Sequence, residues 1–162
     1  MAIWQFQTFM LPRSAVIQHF GGVTAAVPEQ SLSDIAWWAQ VQPPAGYEER
    51  INHIASRYDS WSESISMWGS DEGDRIHLLL EEESRRVEQV SVRIDLREFS
   101  RAFVAGVIQL ASEFGCVLWV EPHTIIEPAM RPLCEAILQS RSAAFMRDPE
   151  GYLRSLPREE SA

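Results

Sequence analysis

The chain has no lysine: all 14 of its basic residues are arginine, set against 23 aspartates and glutamates, for a formal charge of -9 over 162 residues. An acidic chain repels phosphate backbones, so the composition argues against a nucleic-acid partner. Cysteine is scarce as well. Cys116 and Cys134 sit inside apolar segments without CxxC spacing, which excludes a disulfide framework or a zinc site and leaves both as small core hydrophobes. No apolar run approaches the ~20 residues of a membrane span. The start, MAIWQFQTFMLPR, has neither the basic opening nor the apolar stretch of a signal peptide. A cytoplasmic protein with no membrane contact is the expectation. Also missing are G-x-S-x-G, HExxH, a glycine-rich phosphate loop and a dinucleotide fingerprint. Nothing therefore assigns a catalytic residue or a cofactor.

What is present is an ordinary globular balance, 46% apolar and 23% charged, enough to bury one core. A single domain over residues 1–156 is expected, with a frayed tail from Pro157. The clearest pattern runs from Asp74 to Arg97. Ile76, Leu78 and Leu80 alternate with Arg75, His77 and Leu79, and Val90, Val92, Ile94 and Leu96 alternate with Gln89, Ser91, Arg93 and Asp95. Period two of this kind marks half-buried strands. With a turn inside Glu82–Arg86, pairing Leu78 with Val90 and Ile76 with Val92 puts both apolar rows on one side. The same register sets Arg75 across from Arg93.

Around this hairpin the spacing predicts strands over Ile3–Leu11 and Ser64–Trp68, and a second hairpin from Cys116–Val120 and Thr124–Ile126. Helices are predicted from Ser14, stopped by Gly21-Gly22, and over Tyr47–Tyr58. Ser100 caps a helix with Phe103, Val104, Val107, Leu110 and Ala111 along one stripe, and Gly115 ends it. A further helix places Met130, Leu133, Cys134, Ile137 and Leu138 inward, with Pro128 or Pro132 in its first turn. Asp148-Pro149 opens a last one. Ser33-Asp34 caps a short helix carrying Ile35, Trp37 and Trp38. The fold expected is α+β: a mainly antiparallel sheet of five to six strands in two hairpins, with helices packed on one face.

Asp71, Glu72, Asp74, Glu81, Glu82 and Glu83 bracket the first arm of the central hairpin, and residues 47–100 hold 13 acids against 7 arginines, a balance of -6. That distribution predicts a negative rim at each end of the hairpin, fit to dock a basic protein or simply to stay solvated. The turn does not have the spacing of a calcium loop, and no metal site is assigned. Trp37 and Trp38 are adjacent, so a helix would bury only one fully. The other would then serve as a contact residue, unless both roof the core from irregular chain. Arg93 and Asp95, on the outer face, and His123, in a turn after Trp119, are the alternative set: polar groups of a small-molecule pocket in a sensor or enzyme.

The stretch WGSDEGDRIHLLLEEESRRVEQVSVRIDLR, followed by a helix and CVLWVEPHTIIEP, resembles a group of small acidic bacterial proteins. In general cast it is similar to the immunity proteins encoded beside toxins, over roughly Trp68–Pro128. The resemblance implies a binding protein that neutralises a toxin by occluding it, and it transfers no individual binding residue. The chain's own charge points to a basic partner, and it leaves open a monomer or a homodimer paired through an exposed sheet edge.

Overall fold

The computed structural model describes residues 1–22 and 25–157. Within them the chain forms seven strands and seven helices: β1 (Gln5–Pro12), α1 (Arg13–Phe20), α2 (Ser31–Asp34), α3 (Tyr47–Asn52), β2 (Arg57–Tyr58), β3 (Ile65–Gly69), β4 (Arg75–Leu80), β5 (Val87–Asp95), α4 (Arg101–Glu113), β6 (Cys116–Val120), β7 (Thr124–Ile126), α5 (Met130–Gln139), α6 (Arg141–Arg147) and α7 (Pro149–Ser155). The strands make one antiparallel sheet in the order β2-β3-β4-β5-β1-β6-β7. The α+β class is as expected, with one strand more than the five to six anticipated. The extra strand is β2, which falls in the stretch Tyr47–Tyr58 where residue spacing alone predicts a single helix. That helix stops at Asn52, and Arg57–Tyr58 instead pairs with Trp68 and Met67.

The central hairpin has the register its apolar rows require, with Ile76 opposite Val92, Leu78 opposite Val90 and Arg75 opposite Arg93. Ile76, Leu78, Val90, Val92 and Ile94 are all buried on the inner face. β1 lies in the middle of the sheet, between β5 and β6, because it is apolar on both sides. Phe6 and Met10 join the inner face, while Phe9 and Leu11 point the other way in register with Trp119 and Val117. Such a strand satisfies both faces only at a central position.

Ser100 accepts a hydrogen bond from the Phe103 N–H and starts α4, whose buried stripe of Phe103, Val104, Val107, Leu110 and Ala111 packs over β6. Gly115 follows its end with φ +66°, a left-handed conformation that glycine adopts without a Cβ penalty. α5 packs against α4 and buries Leu133 and Ile137, but Leu138, expected inward, is exposed. Pro132, the third residue of α5, resolves the choice between Pro128 and Pro132.

Helices do not account for all of the cover. On the outer face, Trp119 donates its indole N–H to the Val27 carbonyl (2.7 Å) and meets Phe9 edge-on, so residues 25–28 close the β1–β6 half of that face. The expected helix over Ile35–Trp38 is absent: α2 ends at Asp34 and irregular chain follows. The tail expected to fray lies, from residue 158, outside the described residues. No helix among the described residues is long and apolar enough to cross a membrane.

Candidate functional site

The six hairpin carboxylates fall at opposite ends of the sheet, and the two ends differ in chemistry. At the first, residues 70–74 turn from β3 into β4. Gly69 makes the turn tight, with φ +108° and the carbonyl oxygen of Asp74 only 2.0 Å from where a Cβ would stand. Asp74 is half-buried and its Oδ1 accepts from the Asp95 N–H at 2.8 Å. Burial lifts its carboxyl above the ordinary range, against the pull of that bond. Asp71 is exposed but accepts from Tyr58 Oη (3.2 Å) and Arg75 Nη1 (3.5 Å). The Glu72 carbonyl accepts from Gln5 Nε2 and Arg97 Nη2, both at 3.0 Å. Much of this end is occupied in holding its own turn.

The second end is the β4–β5 turn, where Glu81, Glu82 and Glu83 are all exposed. Glu81 accepts from Ser84 Oγ, and among the described residues none of the three glutamates forms an ion pair. Beside this turn lies the loop of residues 59–64. Leu80 N donates to the Ser64 carbonyl (2.7 Å) and Arg85 to the Glu63 carbonyl, so turn and loop form one surface. The loop braces itself through serine hydroxyls: Ser60 Oγ donates to the Ser62 carbonyl (2.8 Å), and Ser62 and Ser64 share a bond between hydroxyls (2.8 Å). On that braced loop Trp61 is 83% exposed, flanked in sequence by the exposed Asp59 and Glu63.

Trp61 is the residue that sequence reasoning passed over, since Asp59-Ser60-Trp61 reads only as a turn. The available signal was its setting, a bulky aromatic in DSWSESIS with no apolar neighbour at strand or helix spacing. Trp37 and Trp38, the aromatics expected to supply a contact, are both buried, at 3% and 1% exposure. Irregular backbone lets adjacent side chains point the same way, which a helix forbids. Trp37 donates to the Ser31 carbonyl (3.0 Å) and stacks on Phe20, and Trp38 meets Phe114 edge-on. Neither is a surface residue, and that expectation is corrected.

The alternative set does not converge. Asp95 is buried and receives Nε and Nη2 of Arg97, the latter at 2.8 Å, which holds its carboxyl below the usual range. Arg97 lies over the Trp4 ring at 4.6 Å. Arg93 Nη1 donates to the Asp71 carbonyl (3.2 Å). His123 is exposed in the β6–β7 turn, on the far side of β1 from both, and its carbonyl binds the Val27 N–H. Arg75 and Arg93 stand side by side in adjacent strands. Burial pushes the Cys116 thiol well above its ordinary value, which suits a core residue rather than a nucleophile. Among the described residues no group of three His, Cys, Asp or Glu side chains is placed to hold a metal ion.

No family model, curated protein or solved structure matches this chain. Its chemistry is therefore read from its own surface. The distinctive feature of that surface is an exposed tryptophan, on a loop braced by serine hydroxyls, among carboxylates that form no ion pair within the described residues.

Proposed function

We propose that this is a cytoplasmic interaction protein of the immunity type, which occludes a basic partner protein and docks through the end of the sheet that carries residues 59–64 and 81–86. The observation that carries this reading is Trp61, an 83% exposed indole on a loop braced by its own hydroxyls. A stable chain gains nothing from an indole in water. At an interface, tryptophan is enriched among the residues that dominate binding, and a pre-formed loop loses little entropy on docking.

Charge supports the same surface. Asp59, Glu63, Glu81, Glu82 and Glu83 stand against Arg85 and Arg86, five acids and two bases, for a local balance of -3. Both guanidiniums are engaged by main-chain carbonyls, Arg85 by Glu63 and Arg86 by Ala39. An uncompensated negative patch speeds association with a positive one and disfavours acidic competitors. An occluding inhibitor needs only complementary shape and charge, so it requires no catalytic motif.

The test is capture on the immobilised chain from the organism that carries it. One basic protein should be retained and released by salt. Retention should fall at least about tenfold, some 1.4 kcal/mol, in the triple variant Glu81→Ala, Glu82→Ala, Glu83→Ala and also in Trp61→Ala. Unchanged retention in both variants would overturn the assignment.

A further inference from the structure

A groove opens beside the docking surface. α2 and residues 35–39 approach the end of β4 and the start of β5 and leave between them a space of about 750 Å³. Its apolar lining comes from Leu32, Ile35, Ala36 and Leu79, each of which keeps surface in solvent. Its rim carries Asp34, Glu81 and Glu88 against one cation, Arg86, whose guanidinium is held by the Ala39 carbonyl at 3.0 Å. Trp38 also lines the groove. It is 1% exposed, and its indole N–H has no hydrogen-bond partner among the described residues. Glu81 belongs to this rim and to the acidic turn alike, so the two surfaces are continuous.

We infer that the groove receives an apolar side chain of the basic partner, carried on an extended segment with arginines or lysines on either side of it. This rests on the docking assignment above. Aliphatic walls favour an aliphatic or aromatic side chain, because transfer out of water is what they offer. Three carboxylates around the mouth favour cations beside it, since long arginine and lysine stems reach a rim while their neighbour is buried. A neutral segment would bury the same apolar group without that attraction, and an acidic one would set its own charges against Asp34, Glu81 and Glu88. The pattern recognised is therefore cation, apolar residue, cation.

The probes are two nine-residue synthetic peptides, each with eight arginines, around a central leucine in one and a central serine in the other. Binding is followed by amide shifts on the full isotope-labelled chain at low salt. The leucine peptide should shift the Ala36, Leu79 and Gln89 amides and bind about tenfold tighter than the serine peptide. Ala36→Trp, which fills the groove from an exposed position, should abolish that difference. Leu79→Ser, which strips the floor, should abolish it as well. Equal affinity of the two peptides, with shifts confined to residues 59–64 and 81–86, overturns the groove inference and leaves the docking surface standing. No binding of either peptide at low salt overturns both.

Discussion

Trp38 and Trp119 are equally buried, at 1% exposure each, but their indole N–H groups differ in circumstance: Trp119 donates to the Val27 carbonyl at 2.7 Å and Trp38 to nothing among the described residues. Replacing each by phenylalanine removes the same atoms from a packed site, so the packing loss is largely common to the two variants. The polar consequences have opposite signs. Trp119→Phe leaves the Val27 carbonyl without its donor, a penalty of about 1–3 kcal/mol, while Trp38→Phe removes a buried donor that had already been desolvated without return. Trp38→Phe should therefore be the more stable variant by at least about 2 kcal/mol. Urea unfolding followed by far-ultraviolet circular dichroism measures this directly. With a slope of about 2 kcal/mol/M the midpoints should separate by about 1 M. Coincident midpoints would refute the reasoning, and would mean that the Trp38 N–H is satisfied by ordered water.

Other perturbations probe the remaining joints. Gly69→Ala forces a side chain into φ +108° and against the Asp74 carbonyl, and should cost about 2 kcal/mol or more in the same unfolding assay. Burial, with Arg75 adding to it, holds His77 below its ordinary pKa, so protonation favours the unfolded chain. Stability should be complete above about pH 6.5 and fall as the pH drops below it, and His77→Gln should flatten that part of the curve. Trp61→Ala should leave stability within about 0.5 kcal/mol of wild type, which separates its binding role from any structural one.

Legibility in the sequence followed the strength of periodicity. β4, β5 and α4 are readable because each has a repeating contrast between an inner and an outer side, and β6 and β7 because each is a short apolar run between turn residues. Ser100 and Gly115 mark the ends of α4, and Asp148 the start of α7, with residues that suit only an end. β2 was not readable, since two residues contain no period. Its place is set by pairing with Trp68 and Met67, partners that local sequence does not reveal. α6 was missed for a related reason: Ser140 ends α5 and caps α6 at once, by accepting from the Ala143 N–H, and a residue doing both looks like a stop. The site divided in the same way. The carboxylates of the hairpin turn could be placed from alternation alone. The exposure of Trp61 and the burial of Trp37 and Trp38 depend on irregular backbone, where neither period applies.

The unequal fate of the two acidic ends has a common physical cause. Where a turn leaves the chain beside an unpaired backbone N–H, a short carboxylate is drawn in as its acceptor, and it is then no longer available to a visitor. Asp74 is such a case, bound to the Asp95 N–H and partly desolvated. The β4–β5 turn meets its own needs differently, with Glu81 N donating to the Arg86 carbonyl and Arg85 N to the Glu81 carbonyl, so Glu82 and Glu83 are not drawn in. It follows that Asp74→Asn, which keeps the accepting oxygen and removes a charge that burial disfavours, should be close to neutral or slightly stabilising at pH 7. Asp74→Ala should cost about 1–3 kcal/mol by orphaning the Asp95 N–H. Glu82→Gln and Glu82→Ala should both leave stability unchanged and differ from wild type only in the salt dependence of partner binding. A large stability loss in either Glu82 variant would show that the turn depends on that side chain, and the contrast between the two ends would fall with it.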